Sequence, residues 1–190
     1  MPFIPTNLPE PPDTVFSLAT PHHMLIKFAW EIRRLENSLK KPSKNPFEVN
    51  VPAFVAFNCA VTGWHLADWT WNATDDDLRK SIAQHFGFTL KSSNRENLLA
   101  FYNAVSNDCR DVYICRLIAN GSKHMKLDRK DPAIKARVEW RPWDGIGYSL
   151  TITDSEMIFP AQKIFNDAFE YWRRTLSHFG FIEDSFIDAD

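Results

Sequence analysis

Four long segments of this chain repeat apolar residues at intervals of three and four positions, the spacing that buries one face of an α-helix. The first of them follows Thr20 and Pro21, which suit a helix cap and a first helical position, and it closes at Lys40 and Lys41 before a proline. Its apolar stripe consists of Leu25, Phe28, Ile32, Leu35 and Leu39. Helices of this kind bury their faces against one another, so the chain is predicted to be mainly α.

Further helix signals follow along the chain. The predicted helices after the first are a long one from Asn50 to about Asn72, a short one from Thr74 to about Phe86, a long one from Asn94 to Gly121 or slightly beyond, and a long one after Pro160. Thr74 with Asp77 resembles a capping box, Gly87 ends the short helix, and Asn94 is predicted to cap the third long one.

A small β-structure is predicted between the third and the last long helix. Residues 136–140 and 148–152 alternate between apolar and polar side chains and flank a turn-forming stretch at 142–147. A third short strand is predicted at 156–159. The predicted fold is therefore a four-helix-type bundle with a short extra helix and a small β-hairpin inserted before the last long helix.

Length and composition restrict the class of protein further. With 190 residues the chain fits one domain, predicted at 20–180 with its β insertion at about 136–159, between a proline-rich arm at 1–19 and an acidic tail at 181–190. No apolar run approaches the roughly 20 residues of a membrane span. The first residues do not resemble a signal peptide, and three cysteines without a CxxC pair indicate reduced thiols. These features predict a cytoplasmic protein without a membrane partner.

Polar side chains interrupt the apolar surface of the second helix. His65 and Asp68 are three residues apart on one stripe, and four aromatic residues flank them. Those aromatic residues are Phe54, Phe57, Trp64 and Trp71. A carboxylate and an imidazole beside so much aromatic surface need partners. Two interpretations remain open: the pair satisfies backbone or tryptophan N–H groups, or it supports a catalytic or metal site.

A second polar group lies at the end of the third long helix. Arg116, Asn120 and His124 follow one another at intervals of four, so they share one face if the helix continues past Gly121. Basic residues accompany them at Lys123, Lys126 and Lys130. A structural interpretation also fits these residue types, with Asn120 and Gly121 capping the helix and the basic groups complementing its dipole.

The short helix is long enough, at about 18 Å, to recross much of the bundle. In that case the second and third long helices run parallel, and their two polar groups meet at one end. Such a site suits cleavage of RNA without a metal or other cofactor. His124 is predicted to be the base or acid, Arg116 to clamp the phosphate and Asn120 to orient either partner, while the three lysines hold the RNA backbone.

A helical bundle with Arg, a polar residue and His near one helix end resembles the HEPN superfamily, which is common in bacterial toxin–antitoxin and antiphage systems. Its ribonuclease members carry Arg and His separated by four to six residues, whereas seven residues separate Arg116 from His124 here. The resemblance implies an endoribonuclease active on RNA, a homodimer with a composite site at its interface, and an antitoxin or regulatory partner. Catalytically inactive members of that superfamily act in binding or dimerisation.

Two other classes of function stay open. The first is a non-catalytic dimerisation or interaction module, because aromatic residues make up 14% of the chain, more than one small core requires. The second is a metal-binding bundle, in which His65, Asp68 and His124 supply ligands together with Glu31 or Glu36.

Overall fold

A computed structural model of the protein describes residues 18–40, 51–123, 134–141 and 147–183. Within this part of the chain six helices surround a core, and one small sheet precedes the last helix, which confirms the mainly α fold. The elements are α1 (Pro21–Lys40), α2 (Val51–Asn72), α3 (Asp76–His85), α4 (Asn94–Asp108), α5 (Arg110–Lys123), β1 (Ile134–Arg141), β2 (Gly147–Asp154), β3 (Met157–Pro160) and α6 (Ala161–His178). Most of the predicted arm and tail lies outside the described residues. No helix of the described part combines the length and apolar character that a bilayer span requires.

The predicted β-hairpin is present and carries a third strand. Strands β1, β2 and β3 lie in that order, and both neighbouring pairs are antiparallel. Ala136 pairs with Ile152, and Ile152 pairs in turn with Phe159. Ile134, Leu150 and Ile152 are buried, so the sheet contributes one face to the same core as the helices.

Two predicted helix caps are wrong by one residue. The carboxylate of Asp75 caps α3, because the Thr74 hydroxyl instead donates to the backbone carbonyl of Trp71. Ser93 caps α4, and Asn94 is already helical. The Asn94 side chain accepts a hydrogen bond of 3.1 Å from Trp71 Nε1, which fixes the start of α4 against the end of α2.

The third long helix of the prediction is two helices. Cys109 has extended backbone angles, with φ −132° and ψ 111°, and it separates α4 from α5. Directly after this break, the guanidinium of Arg110 donates two hydrogen bonds, of 2.6 and 2.7 Å, to the carboxylate of Asp154 at the end of β2. This ion pair holds the pKa of Asp154 below its usual range and fastens the start of α5 to the sheet.

Helix α5 runs antiparallel to α2, so the predicted parallel arrangement of the second and third long helices is wrong. Gly63 of α2 lies beside Cys115 of α5, whereas Ile118, further along α5, shares a cavity with Ala56 near the start of α2. The reason is the position of α3, whose Phe86 contacts Phe101 of α4 and Phe179 behind α6 at the end of the bundle. The chain therefore turns at α3, and α5 returns along α2.

Helices α1, α2, α5 and α6 meet at Gly63. A Cβ atom at this position would lie 2.9 Å from Phe28 Cζ of α1 and 3.2 Å from Cys115 Sγ of α5. On α6, Trp172 Nε1 donates a hydrogen bond of 2.7 Å to the Gly63 carbonyl. The absence of a side chain at Gly63 thus sets how closely the helices approach.

Asp111, at the start of α5, lies in surroundings that disfavour its charged form. Burial, and then the neighbouring carboxylate of Asp167, raise the pKa of Asp111 to about 6, partly offset by Lys163 and Arg110. In the unfolded chain an aspartate titrates near 3.9. The native state therefore binds this proton more tightly, and the stability that it contributes is lost as the pH rises through 6.

Replacing Asp111 by asparagine is expected to raise the free energy of unfolding at pH 7.5 by about 2 kcal/mol, with little change at pH 4, where the native carboxyl is already protonated. Urea unfolding followed at both pH values measures the difference. Glu156→Gln, in the exposed turn between β2 and β3, is the matched control and should be neutral at both. Equal effects of Asp111→Asn at the two pH values would contradict the expectation.

Candidate functional site

Arg116 is held on an aromatic surface where three helices meet. It lies on α5, and its guanidinium carbon is 5.0 Å from the centre of the Trp64 ring of α2. Its Nη1 donates hydrogen bonds to Asn103 Oδ1 at 3.3 Å and to Ser106 Oγ at 3.2 Å, both on α4. These contacts fix the plane of a half-buried guanidinium without engaging a backbone carbonyl.

The charge of Arg116 is not neutralised by a carboxylate within the described residues. Three other arginines of the described part form ion pairs with acidic side chains, namely Arg79, Arg110 and Arg173. The partners of Arg116 are an amide and a hydroxyl, which orient the guanidinium but carry no charge. A preoriented, uncompensated guanidinium is suited to bind a phosphate or carboxylate oxygen.

The polar pair predicted on α2 connects to the same place, through Asp68 and two aromatic residues. The hydroxyl of Tyr102 on α4 donates to the carboxylate of Asp68 on α2. The Tyr102 ring lies 4.9 Å from Trp64, which carries Arg116 on its face. Burial, and then the hydrogen bond to Asp68, raise the pKa of Tyr102, so it remains a donor at neutral pH. Asp68 and Arg116 thus belong to one connected cluster.

Asp68 is accessible from the surface as well. It lines an open cavity of about 300 Å³ together with Ala19, Trp69, Asn72 and Ala73, where the start of α1 meets the end of α2. His65, one turn earlier on α2, is half-buried, and its imidazole makes no hydrogen bond within the described part of the chain. Asp68 was expected to satisfy a backbone or tryptophan N–H group, but within the described residues its hydrogen-bond partner is the Tyr102 hydroxyl.

Asn120 lies one turn beyond Arg116 on α5, and it is half-buried. The helix continues through Asn120 and Gly121 to Lys123, so these two residues do not cap it. Since α5 is antiparallel to α2, Asn120 lies further from Asp68 than Arg116 does. His124, Lys126 and Lys130 lie outside the described residues.

The predicted metal ligands are not assembled within the described residues, where no three His, Cys, Asp or Glu side chains are placed to hold one ion. Glu31 is buried and accepts a hydrogen bond from Lys27, whose amine also bonds to Thr62. It neighbours Cys59, nine residues and about 13 Å along α2 from Asp68. The antiparallel pairing of α1 and α2 accounts for this separation.

Sequence reasoning missed the α4 residues of the cluster. Tyr102, Asn103 and Ser106 are not among the site residues predicted from the sequence. The sequence does contain an indication of this polar face, because Asn103 and Ser106 are three residues apart and so project from one side of the helix.

No protein-family model, curated protein or solved structure matches this chain.

Proposed function

We propose that this protein is a HEPN-like endoribonuclease that cleaves RNA without a metal ion, and that Arg116 binds the scissile phosphate. The observation that carries the proposal is the guanidinium of Arg116, oriented on Trp64 by Asn103 and Ser106 with no carboxylate partner among the described residues. A planar fork prepared in this way binds two phosphate oxygens and stabilises the charge that develops on them.

Most of the other roles belong to residues that follow Arg116 in the chain. Asn120 orients the reacting group one turn beyond Arg116, and His124 serves as base or acid. Lys123, Lys126 and Lys130 hold the RNA backbone. Asp68 and His65 support the cluster, Asp68 by fixing Tyr102 beside Trp64.

The proposal includes a homodimer with a composite site, a cytoplasmic location and control by an antitoxin or another regulatory protein, as in bacterial defence systems. Apolar side chains favour association with a second copy. Ile26 and Trp30 of α1 are about half exposed, and Phe54 of α2 is 61% exposed. Such residues are typical of protein interfaces. The same observation favours the second candidate function, a non-catalytic dimerisation or interaction module.

The direct test is cleavage of a mixed, structured RNA in EDTA by the untagged protein and its Arg116 variants. Arg116→Ala is expected to lower the rate about a hundredfold, the loss typical of removing one charge-stabilising donor. Arg116→Lys keeps the positive charge but removes the planar set of N–H donors, and we expect an intermediate fall in the cleavage rate of about tenfold. Arg95→Ala, an exposed arginine of α4, is the matched control and should cleave like the wild type.

Circular dichroism of each variant separates loss of activity from loss of fold. Wild-type rates for a folded Arg116→Ala protein would remove Arg116 from the mechanism. No cleavage by the wild type, combined with concentration-dependent dimerisation in sedimentation, would instead support the interaction module.

A further inference from the structure

The tetrapeptide His-Phe-Gly-Phe occurs twice in the chain, at 85–88 and at 178–181. Each copy ends a helix, α3 in the first case and α6 in the second. Gly87 and Gly180 have φ values of 70° and 75°, and the amide two residues beyond the last histidine of each helix folds back onto that helix. Both copies therefore form the same glycine-ended helix terminus.

These two termini pack side by side. The ring centres of His85 and His178 are 4.6 Å apart, and their planes are tilted by 42°. The Phe179 ring contacts both imidazoles, at 5.3 Å from His85 and 4.8 Å from His178, and Phe86 contacts His85 at 4.8 Å. The phenylalanines thus form an apolar support beneath two exposed imidazoles.

The imidazole nitrogens are available to a ligand. Both residues are exposed, and neither side chain makes a hydrogen bond or an ion pair to another described residue. Each histidine also lies in the last turn of its helix, where the carbonyl ends favour positive charge. Two such helix ends meet here, so a cation bound between the rings is stabilised from both sides.

The spacing of the rings suits one shared metal ion. A zinc–nitrogen bond of about 2.1 Å places an imidazole centre about 3.2 Å from the metal, so centres 4.6 Å apart subtend about 90° at a common ion. The tilt of the planes allows the ring edges to converge, and the torsion that turns an exposed imidazole about its own axis is soft. Imidazole nitrogen is a preferred ligand of zinc, nickel and copper.

We propose that His85 and His178 form a two-histidine site for a divalent transition-metal ion, with water in the remaining positions. A bound metal ion would link the C-terminal end of the short helix α3 to the C-terminal end of α6. Because the ion binds only the native arrangement of the two helix ends, it stabilises the fold by mass action. This site is independent of the Arg116 cluster and of the proposed cleavage of RNA.

The test is thermal unfolding of the full, untagged chain at pH 7.5 with Zn²⁺, with Ni²⁺ or with EDTA. At metal concentrations a hundredfold above the dissociation constant, we expect the midpoint to rise by about 5 °C over the EDTA sample. His85→Ala and His178→Ala are each expected to abolish this rise. Mg²⁺, which prefers oxygen ligands, should leave the midpoint unchanged.

His23→Ala is the matched control, since His23 is an exposed histidine of α1 beside another histidine, His22. It should keep the full rise. The metal-dependent shift is taken within each variant against its own EDTA sample, so a change in basal stability does not affect the comparison. A rise that persists in both His85→Ala and His178→Ala, a rise that His23→Ala also removes, or no rise in the wild type would overturn the proposal.

Discussion

Substituting valine for Gly63 is expected to lower the free energy of unfolding by about 3 kcal/mol or more, at the upper end of the cost of overpacking a core. The Cβ atom alone would lie 2.9 Å from Phe28 Cζ and 3.2 Å from Cys115 Sγ, and both neighbours are fully buried. The carbonyl of the same residue accepts from Trp172 Nε1, so α2 cannot move away from α1 and α5 without loosening its contact with α6. Urea unfolding followed by tryptophan fluorescence measures the loss.

Two further variants separate crowding from helix propensity. Gly63→Ala makes the same Cβ contacts without the two further methyl groups of valine, and it improves the propensity of α2 by about 1 kcal/mol, so its net loss should be smaller than that of valine. Ala29→Val, on the exposed side of α1, changes propensity without crowding and should cost only a few tenths of a kcal/mol. A Gly63→Val protein as stable as Ala29→Val would show that the helices do not approach as closely as the structure has them.

The periodicity of apolar residues was sufficient to predict where most of the helices lie and, in α1, which face is buried. In α1 the predicted stripe, Leu25, Phe28, Ile32, Leu35 and Leu39, is buried throughout. This follows because the amphipathic pattern of a single helix determines which of its faces is buried, whichever element packs against it. The hairpin was predictable from two alternating segments around a turn-forming stretch, although Ala136, an apolar position of that pattern, is exposed.

The break between α4 and α5 could not be predicted in this way. Val105, Cys109 and Val112 keep helical spacing across it, so the local pattern favours one continuous helix. What accompanies the break is a contact between Arg110 and Asp154, which are 44 residues apart in the chain. The relative direction of α2 and α5 could not be predicted for a related reason, because it depends on where α3 packs.

The candidate site was predictable at Arg116 and Asp68 but not in how they connect. Each lies on a helix face otherwise predicted to be apolar, and such a departure is visible in sequence. Their link through Trp64 and Tyr102 depends on which helices become neighbours, which only the assembled bundle determines. Taken singly, His85 and His178 carry no sequence signal for a site, and only the repeated His-Phe-Gly-Phe sequence relates them to each other.

Replacing His124 by alanine is expected to have the largest effect on the proposed cleavage of RNA, a loss of about a thousandfold, within the range for general acid–base catalysis. Arg116 and Asn120 lie on successive turns of α5, which continues to Lys123, the residue that precedes His124 in the chain. An imidazole can both accept and donate a proton near neutral pH, which neither an arginine nor an asparagine can do.

The measurement compares RNA cleavage in EDTA by the wild type, His124→Ala and the control His23→Ala under identical conditions. Cleavage retained by His23→Ala and lost only in His124→Ala would identify the proton-transfer group, since Arg116 alone can stabilise charge but cannot activate a hydroxyl. A folded His124→Ala protein that cleaves as fast as the wild type would assign proton transfer to another residue, and His65, on the same helix as Asp68 and Trp64, would be the next to replace. Because EDTA is present throughout, activity that survives in it also distinguishes this mechanism from one that depends on a bound metal ion.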